Sequence, residues 1–161
     1  MTDPAYSAAL AMLARRELSE AQLRERLARR EHSPEAIDAA VARLQASGLL
    51  DDRRVALAAA RTEAQVRSRG RLRVLQRLHA LGIAPGVAAA AADEVFGALD
   101  EEALLQAALA RRLRGPGARV RDAAHFRRLH QQLVRQGFAP SAVTRALRAR
   151  GWAADEDQGC S

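Results

Sequence analysis

The octet Leu-His-Ala-Leu-Gly-Ile-Ala-Pro at residues 78–85 returns 55 residues later as Leu-Val-Arg-Gln-Gly-Phe-Ala-Pro at 133–140. Leucine, glycine, a bulky apolar residue, alanine and proline stand in register. A third copy, Leu27 to Pro34, keeps the leucine and the proline and has Glu31 where the others have Gly82 and Gly137. An aliphatic residue precedes each leucine by four (Leu23, Val74, Leu129), and small or branched apolar residues follow each proline by three (Ile37, Ala88, Val143) and by seven (Val41, Ala92, Leu147). Similarity at a long fixed period is the mark of a repeat architecture. The chain reads as three related units, residues 1–50, 51–98 and 99–152, with a disordered tail at 153–161.

The octet has a physical meaning. Glycine falls where a helix ends in a left-handed residue, and the next apolar residue folds back on the leucine five positions earlier, Ile83 on Leu78 and Phe138 on Leu133, as in a Schellman stop. Proline two residues later opens the next helix, where its missing N–H costs nothing. Each copy is thus a short hinge of fixed geometry between two helices. Glu31 lacks glycine's freedom at positive φ, which costs other residues about 1 kcal/mol or more, so the sequence leaves open a stop of different construction there.

Composition agrees with helices. Of 161 residues, 48% are apolar but only 3% aromatic, so the core must be built from leucine, valine and alanine. Such a set suits close helix packing better than a sheet, and the fold class is all-α. The first unit starts with a helix over about residues 5–17. Ser19 and Gln22 then form a capping box, with Leu18 and Leu23 as its hydrophobic staple. Ser33-Pro34 starts a third helix, which carries Ile37, Val41 and Leu44 on one face and ends at Gly48. Asp51 caps a long helix to about Ser68, which Gly70 breaks before helices at 71–81 and 85–97. The third unit runs from near Asp100 to Arg114, crosses a Gly115-Pro116-Gly117 loop, and continues in helices at 122–136 and 140–150. Gly151 and Trp152 repeat the glycine-plus-apolar stop.

Net charge is +7, and all 26 basic residues are arginine. Residues 1–51 sum to −1, 52–96 to +4, 97–151 to +7 and 152–161 to −3. Positive charge therefore gathers in the second and third units, as on a surface that meets phosphates or an acidic protein, although a solvated face has the same composition. Lone Cys160 has no partner for a disulfide or a cysteine metal site. No apolar run is long enough to span a membrane and no signal-peptide pattern opens the chain, so the expectation is a cytoplasmic protein.

Phosphate-loop, dinucleotide-binding and zinc-protease motifs are all missing. His32, His79, His125 and His130 fall on different elements or at poor spacing, so no metal or cofactor is expected. Serines and carboxylates stand where caps and first turns want them, and the chain reads as a non-enzyme. What remains is arginine. Arg67, Arg69, Arg71, Arg73 and Arg77 crowd a helix end, a break and a new start. On the helix of 122–136, Phe126, Leu129 and Leu133 face inward, and Arg128, Gln132 and Arg135 form an outward stripe beside Arg127. Arg145 and Arg148 repeat the stripe on the last helix. These ten arginines are the candidate contact residues.

The order of these motifs resembles a known family. Gly48-Leu49-Leu50-Asp51-Asp52-Arg53-Arg54-Val55-Ala56, followed by Gly70-Arg71-Leu72-Arg73 and Leu78 to Ile83 within three tandem three-helix units, is similar to RecX, the bacterial regulatory proteins that modulate the RecA recombinase. The likeness runs from about Ala8 to Gly151. It departs at Leu49 and Val55, where the family usually carries aromatic residues. The resemblance implies a regulator that binds RecA filaments on single-stranded DNA, lies in the filament groove, and lowers ATP hydrolysis and strand exchange. Nine helices about 8–10 Å apart would form an elongated, curved array with a long concave surface.

Two classes of function follow. In one, a monomeric interaction module bridges RecA protomers, with its arginines on acidic protein surface or on single-stranded or duplex DNA. In the other, the helix hairpins act as a nonspecific DNA-binding module. Base readout favours polar residues at the start of a recognition helix. Glu35-Ala36, Gly86-Val87 and Ser141-Ala142 supply few, so any direct DNA contact is expected to be phosphate-based and salt-sensitive.

Overall fold

The computed structural model describes residues 3–114 and 118–151. Among these residues it contains nine α-helices and no strand: α1 (Pro4–Leu13), α2 (Glu20–Ala28), α3 (Pro34–Ala46), α4 (Asp52–Arg61), α5 (Arg71–Ala80), α6 (Pro85–Gly97), α7 (Glu101–Leu113), α8 (Ala123–Arg135) and α9 (Pro140–Ala149). The Gly115-Pro116-Gly117 loop, Trp152 and the 153–161 tail with Cys160 lie outside the described residues. The chain divides into two compact units, residues 1–61 with 75–95 and residues 62–74 with 96–161.

The helix stops follow the octet. Gly82 and Gly137 adopt φ of +75° and +102°, and the backbone N–H of Ile83 and of Phe138 reaches the carbonyls of Leu78 (3.1 Å) and Leu133 (3.3 Å). Gly48, at φ +70°, sits in the same kind of stop, with Leu49 N–H on the Leu44 carbonyl at 3.0 Å. Glu31 does not build a different stop. It takes φ +62°, and His32 N–H reaches the Leu27 carbonyl at 3.4 Å, so the same closure forms without glycine. Its side chain is exposed, which leaves backbone strain as the cost.

Two helices end earlier than the sequence suggests. Helix α1 stops at Leu13, because residues 14–18 must bring Ser19 into the extended conformation of a capping residue. The capping box then forms as expected, with Gln22 N–H on Ser19 Oγ (3.2 Å) and Ser19 N–H on Gln22 Oε1 (3.3 Å). Helix α4, capped by Asp51, gives way after Arg61 to a π turn over Thr62–Val66, closed by Arg67 N–H on the Thr62 carbonyl at 3.1 Å. The wider turn buries Glu63 and Ala64 and leaves Val66 78% exposed. Arg67 pairs with the buried Glu63 at 2.9 Å, and Ser68 closes the turn at φ +51°.

In the first unit, α1 packs on α2 and α3 around Ala9, Met12, Leu18, Leu23, Leu27, Ile37, Val41, Leu44 and Leu50. Ser19 does double duty, because its hydroxyl also donates to the Leu81 carbonyl. Gly82 lies against Ala21 so closely that a Cβ would come within 2.4 Å of the alanine's own.

In the second unit, α7, α8 and α9 pack together around Leu105, Leu109, Leu129, Leu133, Phe138, Val143 and Leu147. The start of α5 closes the end of α8: Gly70 N–H donates to the Gln136 carbonyl (3.0 Å) and Leu72 N–H to that of Gly137 (3.1 Å). Orphan donors of one helix thus meet orphan acceptors of another. A Cβ on Gly70 would stand 2.4 Å from the Gly137 carbonyl, so the approach requires bare backbone.

Candidate anion-binding site

Charge is divided unevenly between the units. The first carries eleven arginines and eleven carboxylates, whereas the described residues of the second carry fifteen arginines and five carboxylates, a net +10. In the first unit several arginines are matched: Arg24 with Glu20 (2.7 Å) and Asp38 (2.5 Å), Arg54 with Glu17 (2.5 Å), and Arg53 and Arg61 with Glu94 (3.1 and 3.5 Å).

Five of the second unit's arginines, Arg112, Arg114, Arg119, Arg121 and Arg128, line one concavity of about 570 Å³ together with Leu113, Ala118, His125, Leu129 and Gln132. Local structure explains each cation. Arg112 lies in the last turn of α7, and Arg114 ends that helix at φ +58°. From there Arg119, Val120 and Arg121 alternate: Val120 enters the core, held by its N–H on the Arg150 carbonyl (3.3 Å), and the two arginines point outward. Asp122 caps α8 by accepting His125 N–H at 2.7 Å. Arg128 and Gln132 then rise on the exposed face of α8.

Burial lowers the pKa of Arg112, and the charges of Arg111 and Arg69 lower it further. His125 is pushed below the ordinary histidine range by burial first, then by Arg121 and Arg128. Its Nδ1 lies 3.3 Å from the Arg121 backbone N–H, an interaction that needs a lone pair there and so assigns the neutral Nε2–H tautomer. The Asp122 carboxyl is held low, first by the His125 N–H and further by Arg121. No carboxylate is among the lining residues.

A polar clip fixes the back of the site. Arg112 Nη2 donates to Gln136 Oε1 (2.5 Å), Gln136 Nε2 donates to the Ser68 carbonyl (2.5 Å), and Arg111 Nη2 donates to Ser68 Oγ (3.1 Å). Arg69 stands beside this clip with its Nε buried and unpartnered.

Of the ten arginines expected from sequence, Arg128 lines the concavity and Arg69 is near enough to perturb Arg112. Arg67 is engaged by Glu63 and Arg145 lies 3.8 Å from Glu102. Arg71 is half-buried, with its backbone N–H on Glu101 Oε1 (3.2 Å), and the Cβ of Arg73 packs against Gly137. Arg77 follows on α5 in the portion that belongs to the first unit. Arg127, Arg135 and Arg148 are exposed on α8 and α9. Sequence reasoning missed Arg114, Arg119 and Arg121, because residues 114–121 read as a connecting loop, and Arg112, because it stood in the last turn of a helix whose packing partner the sequence does not name. The signal was the arginine density of that loop and its Arg-Val-Arg alternation.

A second arginine-lined concavity, about 520 Å³, lies in the first unit among Ala11, Met12, Arg15, Arg16, Arg26, Arg29 and Arg30. Arg29 is committed there to Glu25 at 2.5 Å.

Comparison with known proteins agrees with this architecture. Residues 5–44 match the family model for the first three-helix domain of RecX. The curated Regulatory protein RecX of Halorhodospira halophila (strain DSM 244 / SL1) is 37% identical over 150 residues, covering 93% of this chain and 88% of the relative. Among solved structures, RecX from Lactobacillus salivarius aligns with a TM-score of 0.75 at 18% identity, over 90% of this chain and 93% of the other. A second crystal structure, of a regulatory protein RecX, aligns with a TM-score of 0.72 at 22% identity, over 90% and 70%. The two structural alignments speak for the fold, and the identity over nearly the whole length settles kinship: the chain belongs to the RecX family.

Proposed function

We propose that this protein is a non-enzymatic regulator that binds RecA filaments on single-stranded DNA and lowers their ATP hydrolysis and strand exchange. The observation that carries the reading is the 37% identity to a Regulatory protein RecX over almost the entire chain. In this reading the three repeats, residues 1–50, 51–98 and 99–152, form a cytoplasmic, monomeric interaction module. Its contacts are made by arginines of the second and third repeats, on acidic protein surface or on DNA phosphates beside it. Among the described residues no helix is long and apolar enough to cross a membrane, so a membrane role has no support from the helices.

A second reading, nonspecific DNA binding, is favoured by the net charge of +10 on the described residues of the second unit. One experiment separates the two. RecA ATP hydrolysis is followed on filaments formed before the protein is added, in parallel with titrations of bare single-stranded and duplex DNA. The regulator reading expects inhibition at concentrations well below those that coat the DNA. Inhibition only at DNA saturation would leave phosphate binding as the sole activity.

A further inference from the structure

The concavity at the α7–α8 connection asks for a ligand of its own. It is lined by five guanidinium groups, Arg112, Arg114, Arg119, Arg121 and Arg128, with one histidine and no carboxylate. None of the five forms an ion pair among the described residues, in contrast to Arg24, Arg54 and Arg61 of the first unit. Like charges gathered in one concavity repel, and the fold must hold them there against that repulsion. Part of that repulsion is felt at His125, whose basicity is lowered by burial first and then by Arg121 and Arg128. A volume of about 570 Å³ far exceeds a single oxyanion and lies in the range of small-ligand sites.

We propose that this concavity is a discrete binding site for a ligand with adjacent phosphate groups. Arg119, Arg121 and Arg128 supply forked donors to the phosphate oxygens, and Arg112, held by Gln136, supplies fixed charge at the back. Guanidinium forks match phosphate oxygens bidentately, which gives direction as well as charge. An acidic peptide fits less well, because an extended chain brings side chains to one face only every second residue, about 7 Å apart. Phosphates joined through one bridging oxygen concentrate charge more densely than that, and each phosphate, free or in a nucleic-acid strand, carries oxygens that a guanidinium fork holds in pairs. Two sources share this chemistry: a free polyphosphate such as the tail of a nucleoside triphosphate, and consecutive phosphates of a single-stranded nucleic acid. The site goes beyond the RecA reading and is tested without RecA.

Calorimetric titration of the full chain with inorganic triphosphate, at near-physiological salt, supplies the test. The variants are Arg121→Gln/Arg128→Gln at the site and Arg15→Gln/Arg16→Gln at the other basic concavity. Both pairs remove two exposed charges, and melting curves verify that each variant folds. Loss of two charge-assisted contacts should weaken triphosphate binding at the first pair by about tenfold or more, with little change at the second. A short oligothymidylate that competes with triphosphate identifies nucleic acid as a fitting source, and triphosphate binding without competition identifies the free ligand. The proposal is overturned by equal weakening in both variants, by no measurable triphosphate binding to the wild type, or by a hexaglutamate peptide binding as tightly as triphosphate.

Discussion

Glycine is used for two different reasons in this chain, and substitution separates them. Gly48 has φ +70° with open space where a Cβ would go, so only backbone strain opposes a side chain. Gly48→Ala should therefore cost about 1 kcal/mol. Gly70 has the opposite problem, since its Cβ would lie 2.4 Å from the carbonyl carbon and oxygen of Gly137, and backbone cannot step aside as a side chain can. Gly70→Ala should cost about 3 kcal/mol or more, by prying the start of α5 from the end of α8. Denaturant unfolding of both variants checks the ranking, and equal losses would refute it. The glycines of the octet were legible in the sequence because left-handed stops repeat. Gly70 was legible only as a helix break, because its partner Gly137 stands 67 positions away and no local pattern announces the contact. Glu31 shows the converse limit: the closing hydrogen bond held a left-handed residue where local preference opposed it.

At the scale of elements, caps, prolines and apolar spacing placed most helices within a few residues, since each of these signals acts through its nearest neighbours. The π turn after α4 escaped that logic. Its residues Thr62–Val66 are acceptable in an ordinary helix, and what distinguishes them is tertiary: Glu63 is buried against Arg67, and Ser68 is tied into the clip of Gln136, Arg111 and Arg112. Gln136 is the keystone, because it is buried and joins a carbonyl to a guanidinium. Gln136→Ala would leave the Ser68 carbonyl and Arg112 Nη2 without these partners. The expected loss is about 1–3 kcal/mol, the cost of one unsatisfied buried carbonyl, since the half-buried Arg112 can turn to water. Thermal melts measure it. A loss below about 0.5 kcal/mol, the range of ordinary surface substitutions, would show that water replaces the glutamine and that the clip does not hold the turn. The same reasoning explains why the candidate site was only partly legible. Arg128 belongs to a visible helical stripe, but Arg112, Arg119 and Arg121 meet it only once α7 and α8 are packed.

For the whole molecule, the division of charge sets how stability responds to salt. Ion pairs of the first unit are exposed, and such pairs contribute about 0–1 kcal/mol each, so screening them loses little. The second unit holds fifteen arginines against five carboxylates among its described residues, and its self-repulsion is what dissolved ions relieve. Melting temperature should therefore rise as salt is raised from low to near-physiological concentration. Arg127→Gln/Arg135→Gln removes two exposed charges from the repelling set. This variant should melt higher than the wild type at low salt and gain less from added salt. Arg53→Gln/Arg61→Gln makes the same change in net charge but takes away the partners of Glu94, so it should not melt higher and should keep the wild-type salt response. If both pairs behaved alike, net charge alone would govern stability and the division between units would have no energetic meaning. A difference between them would show that the second unit is held together in spite of its charge, which is the condition expected of a surface whose counter-charge arrives with a ligand.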